Sequence, residues 1–263
     1  MAETKLLRVE NIHKSFFPPD STWLKRQKIT VLNGVSFSLA QGECLGIIGE
    51  SGSGKSTLAR VLLGLEKPDS GTVLFHEQPL YAHALSRRQR TLRRHISVVF
   101  QDYASSVNPH LTVADTIAEP LYIHERLAKS EINRRVIDLL DKVGLSGDFV
   151  GRYPHQLSGG QLQRVCIARA IACRPQFIIL DEAVSSLDVS VQVQILDLLK
   201  RLQQEMNLSY LFITHDLTAV TYLCQRVCFF ADGRIVERVD SIDQLGQVKQ
   251  EYSKRLLNAV MDF

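Results

Sequence analysis

The sequence predicts an α/β fold with a mostly parallel central sheet, an N-terminal antiparallel β section and an inserted α-helical lobe. Three observations point there. Apolar runs of strand length alternate with segments of helical spacing, the pattern of a sheet flanked by helices. A glycine-rich turn sits between one such run and an apolar-faced helical segment. Between residues 102 and 154 apolar residues recur at helical spacing instead.

In chain order, residues 6–9 and 35–39 read as strands of the N-terminal β section. The polar stretch between them, with Pro18, Pro19, Trp23 and Lys25, reads as an irregular hairpin excursion. Residues 44–48 form a buried strand, followed by a helix over 55–65 and another strand over 96–100. Ile132, Val136, Leu139, Leu140 and Val143 lie on one helical face, with Ser130 placed to cap the start. A helix over 161–173 carries Val165, Ala168 and Ile171 along one side. Strands return at 177–180 and 211–214, and 227–230 with 234–237 flank an Asp232-Gly233 turn, a hairpin signal. The expected division is a core of residues 1–101 and 155–263 interrupted by a helical subdomain, 102–154. Five arginines between Ser86 and Arg94 read as a solvated helix face rather than an anion patch.

With 263 residues, 45% hydrophobic and 22% charged, the chain can bury a full core. A formal charge of +3 gives no argument for nucleic acid. No apolar run approaches the roughly 20 residues that cross a bilayer. The first ten residues alternate charge with Leu and Val, unlike a signal peptide, so a cytosolic protein is expected. Cys44, Cys166, Cys173, Cys224 and Cys228 sit mostly in apolar runs and read as core residues of a reducing compartment. A two-thiol metal site at Cys224 and Cys228 is the weaker reading, since one looks helical and the other lies in a strand.

Gly49-Glu50-Ser51-Gly52-Ser53-Gly54-Lys55-Ser56-Thr57 follows the P-loop pattern. Backbone N–H groups can surround a polyphosphate only where side chains do not intrude, and the following helix aims its positive end at the same anion. Lys55 would neutralise β- and γ-phosphate oxygens, and the Ser56 hydroxyl would ligate Mg2+. A second acidic half is expected at a neighbouring strand end. Phe177-Ile178-Ile179-Leu180-Asp181 supplies it, with Asp181 holding hydrated Mg2+ and Glu182 accepting a proton from attacking water.

Leu157-Ser158-Gly159-Gly160-Gln161 opens another helix with little side-chain bulk, a second phosphate-type helix end. One nucleotide cannot easily use both ends within one lobe, so two subunits paired head to tail are expected. His215 follows the 211–214 strand and would face the γ-phosphate. Gln101 ends the 96–100 strand, where it can touch metal or water while moving with the helical lobe.

Together these motifs resemble the ATP-binding cassette family over nearly the whole chain. The resemblance implies a Walker A at Gly49 to Thr57, a Q-loop at Gln101 and a signature at Leu157 to Gln161. It further implies a Walker B ending at Asp181, Glu182 as catalytic glutamate, a D-loop at Ser185-Ser186-Leu187-Asp188 and a switch His215. An adenine-stacking aromatic falls at Phe16, with Phe17 the competing choice. Phe100-Gln101-Asp102, Ser106-Val107-Asn108-Pro109, Tyr153-Pro154-His155-Gln156, Asp188-Val189-Ser190-Val191-Gln192 and the tail Tyr252-Ser253-Lys254-Arg255-Leu256-Leu257 look like the oligopeptide, dipeptide and nickel importer group. Glu182-Ala183-Val184-Ser185 is similar to the short nickel-importer subunits.

The implied function is ATP hydrolysis that energises uptake of nickel, metal chelates or short peptides. The implied partners are a paralogous ATPase subunit (or a second copy), two integral membrane permease subunits and, indirectly, an extracytoplasmic solute-binding protein, with no nucleic acid. The implied place is the cytoplasmic face of the membrane. The sequence stops at Phe263 without the cysteine-bearing extension of many peptide-importer relatives, which favours metal or chelate cargo. The alternatives are a non-transport ATPase of DNA repair or translation, which usually carries a coiled-coil insertion or two cassettes, and a regulatory module that binds nucleotide without hydrolysis. No Asn-Lys-x-Asp guanine reader is present.

Overall fold

The computed structural model describes residues 5–17, 28–81 and 91–261. The expected excursion around Pro18, Pro19, Trp23 and Lys25, and the arginines from Arg87 to Arg90, lie outside them. The chain forms two compact units, Met1–Leu92 with Leu211–Phe263, and Arg93–Tyr210.

In the first unit, β1 (Lys5–Phe16) and β2 (Ile29–Ala40) form a long antiparallel pair. With β4 (Ser70–Phe75) and β5 (Gln78–Pro79) they make a sheet ordered β2-β1-β4-β5. This is the expected antiparallel section, longer than expected because β1 and β2 continue past the apolar residues through several register shifts. The second sheet of this unit runs β10-β9-β3-β8. Its β3 (Cys44–Ile48) is buried at every residue, so no alternation marks it and only its apolar run does. It pairs in parallel with β9 (Arg226–Ala231), which turns through Asp232 and Gly233, at φ 47° and 72°, into antiparallel β10 (Arg234–Val239). Two positive φ values are what the tight hairpin needs. The boundary between the units falls inside β8 (Ser209–Thr214). Among its described residues the first unit also holds α1 (Lys55–Leu62), α6 (Leu217–Leu223), α7 (Glu251–Met261) and a 3-10 helix, Ile242–Gln247.

The second unit pairs β6 (Ile96–Val99) with β7 (Phe177–Asp181) in parallel, Ile96 opposite Phe177 and Val99 opposite Leu180. Between β6 and the next long helix the elements are α2 (Val113–His124), α3 (Lys129–Lys142) and two single 3-10 turns. Then come α4 (Gly159–Ile171) and α5 (Val189–Met206). Ile117, Leu121, Ile132, Val136, Leu140 and Ile171 are buried in this unit. Each fully buried Leu or Ile contributes about 1.5–3 kcal/mol, so this apolar face, not intrinsic propensity, holds the helices.

One helix start differs from expectation. The N-cap of α3 is Ala128, whose carbonyl accepts from Glu131 and Ile132, and it has no side-chain cap. Ser130 therefore lies inside the first turn. The acidic Glu131 in that turn complements the helix dipole where a capping hydroxyl was expected.

All five cysteines are buried and unbridged. Cys44 and Cys224 bring their Sγ atoms to 3.3 Å, and burial together with that neighbour pushes the Cys44 thiol well above its ordinary range. Burial likewise pushes Cys228 up to about 12. Protonated thiols of this kind behave as small core residues.

Candidate functional site

The first unit builds the anion cradle from β3, the Gly49 to Thr57 loop and α1. Gly49 packs so closely that an added Cβ would stand 2.1 Å from the Phe230 carbonyl oxygen of β9. Gly54 is the N-cap of α1 at φ 106°, and a Cβ there would meet the Val31 carbonyl at 2.7 Å. Both positions exclude any side chain, one by approach and one also by backbone conformation. No side chain caps α1, and no acidic residue stands in its first turn. Its leading N–H groups and positive end are thus offered to a ligand.

Lys55 is the first residue of that helix and is only 5% exposed. Its ammonium donates to the carbonyls of Gly49 and Glu50, both at 2.7 Å, and lies 3.4 Å from the Ser53 hydroxyl. One full positive charge is therefore held against the inside of the loop. Neighbouring strands brace the outside. Gly233 donates its N–H to the Ser53 carbonyl at 3.0 Å, and the Asn33 N–H bonds back to Gly233 at 2.8 Å. His215 follows β8, whose neighbour in the sheet is β3, and it is exposed. Phe16 ends β1 opposite Ile29, with the Lys14 ammonium 4.9 Å from its ring centroid. The Lys28 ammonium likewise lies 5.2 Å from the Phe17 ring centroid, and Phe17 is the more exposed of the two, at 48%.

The second unit gathers the acidic and signature residues. Asp181 is the last residue of β7 and is half-buried. Glu182 follows at φ 48°, a left-handed conformation that costs a non-glycine residue about 1 kcal/mol. The Glu182 Oε2 accepts from Gln101 Nε2 at 3.0 Å, so the chain two residues past β6 is joined to the residue after β7. The Glu182 carbonyl accepts from the Ser185 N–H and hydroxyl, which tightens the following turn.

At the start of α4, Ser158 and Gln161 form a capping box. The Ser158 hydroxyl accepts from the Gln161 N–H at 3.3 Å, and the Gln161 side-chain oxygen accepts from the Ser158 N–H at 3.0 Å. This end is therefore partly satisfied by itself, unlike the bare end expected from composition. Gly159 and Gly160 are small because of neighbours: a Cβ on Gly159 would meet the Tyr103 hydroxyl, and one on Gly160 would meet Val191 Cγ1, each at 2.6 Å. Asp188 caps α5 by accepting from the Val191 N–H at 3.0 Å. The Ser190 hydroxyl, which donates to it at 2.7 Å, and then the Val191 bond hold its carboxyl below the ordinary range.

Sequence reasoning missed Gln163. It is fully buried in α4, and its Nε2 donates to the Ala183 carbonyl at 2.6 Å. The signature helix is thereby tied to the residue directly after Glu182. A polar residue among the buried positions of α4 was the available signal, but its partner lies on another element.

Ser56 in the first unit and Asp181 in the second each carry an oxygen donor of the kind a hard divalent ion takes, and among the described residues no group of three or more His, Cys, Asp or Glu could hold a metal alone. An ion such as Mg2+ keeps waters and substrate phosphates as its other ligands, so few protein oxygens suffice.

Residues 32–185 match the sequence profile of the ABC transporter family. The chain is 42% identical over 258 residues to the metal-staphylopine import system ATP-binding protein CntF of Staphylococcus aureus, covering 98% of this chain and 100% of that protein. It is 41% identical to the oligopeptide transport ATP-binding protein OppF of Bacillus subtilis, over 97% of this chain and 82% of that one. Among solved structures, the dimeric post-hydrolysis state of the ATP-binding cassette MJ0796 bound to ADP and Pi superposes with a TM-score of 0.77 at 29% identity, covering 89% of this chain and 97% of that one.

Proposed function

This chain belongs to the ABC transporter family, and from that premise we propose which of its residues do the work and what it helps to carry. It is an ATP-binding and ATP-hydrolysing subunit of an importer. No described helix is long and apolar enough to cross a membrane, and in our reading separate membrane subunits provide the transport path. The observation that carries the assignment is the P-loop itself: a glycine-rich cradle, an uncapped helix end and a buried lysine within one loop.

In our reading Lys55 exchanges its carbonyl partners for β- and γ-phosphate oxygens, and the amides at the start of α1 hold the rest of the charge. Bound Mg2+ would neutralise developing phosphate charge, with Ser56 and Asp181 as its protein ligands and Gln101 as a sensor beside it. Glu182 takes the proton from attacking water, held in place by Gln101. His215 steadies the γ-phosphate, and Phe16 or the more exposed Phe17 covers the adenine. The amides of Gly159 and Gly160, with Ser158, Gln161 and Asp188, serve a nucleotide held by another ATPase subunit, so the pair is head to tail. The segment 102–154 acts as a helical lobe that transmits closure to two permease subunits at the cytoplasmic face.

The cargo we propose is of the metal-chelate class. The likeness to the metal-staphylopine subunit over 98% of the chain supports it, and peptide-importer relatives match nearly as well. Calorimetry of the cognate solute-binding protein with a nickel chelate and with short peptides decides. Binding of peptides alone overturns the chelate reading. Phosphate release by the assembled transporter tests the ATPase assignment of Glu182, which fails if Glu182→Gln turns over at the wild-type rate.

A further inference from the structure

We propose that Tyr252 is a positioning residue for the nucleotide site, through which the C-terminal helix α7 sets the geometry of the P-loop. The proposal rests on ATP binding at that loop.

The Glu50 N–H is the first amide of the loop after Gly49, and it donates to the Tyr252 hydroxyl oxygen at 3.0 Å. The same hydroxyl donates to the Phe230 carbonyl at 3.3 Å. That carbonyl is the atom against which Gly49 packs too tightly for a side chain. One phenol therefore joins α7, the end of β9 and the first turn of the loop. Only a hydroxyl that both donates and accepts can do this. Burial pushes the phenol above its ordinary range, so it stays protonated.

The helix that carries Tyr252 is itself anchored. Both Glu237 carboxylate oxygens of β10 accept backbone N–H groups just ahead of α7, from Lys249 at 2.6 Å and Gln250 at 3.1 Å. Ser253 and Leu257, one helical turn apart, are buried on its inner face. The phenol is thus held by a fixed element and does not reach the loop from a loose tail.

The two grips on this segment differ in kind. On the inside Lys55 holds the Gly49 and Glu50 carbonyls, and a triphosphate competes for that ammonium. On the outside Tyr252 holds the Glu50 N–H with a neutral group that phosphate does not displace. When the inner grip passes to the nucleotide, the outer one keeps the Gly49 and Glu50 peptides in place. The loop is then pre-formed, and binding does not have to order it.

Tyr252→Phe removes the hydroxyl and keeps the ring. Nucleotide affinity of the full chain, by competition with a fluorescent ATP analogue, tests the idea beside Lys55→Ala and Glu237→Gln. Tyr252→Phe should raise the dissociation constants of ATP and ADP about fivefold, the scale of one lost neutral hydrogen bond. In the assembled transporter KM should rise by the same factor, with kcat changed less than about twofold. Glu237→Gln should shift affinity in the same direction by less. A melting temperature that falls while both dissociation constants stay at wild-type values makes Tyr252 a packing residue and overturns the proposal. So does a fall in kcat at unchanged affinity. If Lys55→Ala binds ATP as tightly as the wild type, the P-loop reading fails instead.

Discussion

Two helix ends rich in glycine open α1 and α4, and they are built in opposite ways. The α1 end begins at Gly54 in a left-handed conformation with no side-chain cap and a buried cation at its first position. The α4 end begins at Ser158 in an extended conformation, closed by reciprocal bonds with Gln161. In the first, glycine makes room beside the Phe230 and Val31 carbonyls and allows the left-handed turn, and in the second it clears room beside the Tyr103 and Val191 side chains. Under the proposed function the uncapped end takes an anion within its own subunit, and the capped end is the rigid surface that meets a nucleotide brought by another subunit. The difference predicts that substitutions at the first end damage binding by a single chain, while those at the second spare it and damage pairing.

The largest effect lies at neither end. Glu182→Gln should lower turnover by about 10²–10⁴-fold with ATP affinity little changed, because it removes the proposed general base and leaves both helix ends intact. Single-turnover phosphate release measures it. Next, Lys55→Ala should weaken ATP binding by a single chain about 10- to 100-fold, the loss of charge-assisted bonds to phosphate. Equilibrium binding to the isolated subunit checks this. If the α4 variants described next weaken single-chain binding as much, the contrast between the ends collapses.

Gly160→Ala should leave single-chain ATP affinity unchanged. The new methyl would stand 2.6 Å from Val191 Cγ1, a stiff branched side chain, so α4 must shift against α5. The expected cost is about 1–3 kcal/mol of stability, with ATP-driven pairing lost, seen by thermal melting and size-exclusion chromatography. Gly159→Ala should be milder, because the Tyr103 hydroxyl it meets is the end of a side chain that can turn aside.

The α1 end was legible in the sequence because its meaning is local: spacing, glycines and lysine lie in one loop beside a buried strand. The β3 limits match the apolar run for the same reason. The Ser158 to Gln161 motif was legible as a helix start, but its glycines owe their size to Tyr103 and Val191, which are far away in sequence. Gln163 on Ala183 and Tyr252 on Glu50 are likewise long-range bonds, and no periodicity encodes them. At α3 a plausible capping serine lost to the backbone, since Ala128 begins the turn two residues earlier. Local chemistry was readable. The bracing around it depends on which elements pack together.

The smallest effect sharpens the comparison most, since it separates two roles of one hydroxyl. Ser158 caps α4, so Ser158→Ala should cost about 0.5–2 kcal/mol, and each kcal/mol lowers the melting temperature about 2–4 °C in a chain of this size. Under our reading the same exposed serine also faces a triphosphate held by the paired subunit. Ser158→Asp separates the two, because aspartate is as good a cap as serine while its carboxylate repels phosphate. Its melting temperature should return to the wild-type value while ATP-driven pairing stays weak. Single-chain affinity should be normal in both variants. Should Ser158→Asp restore pairing along with stability, the hydroxyl serves the helix alone and the phosphate role passes to the Gly159 and Gly160 amides.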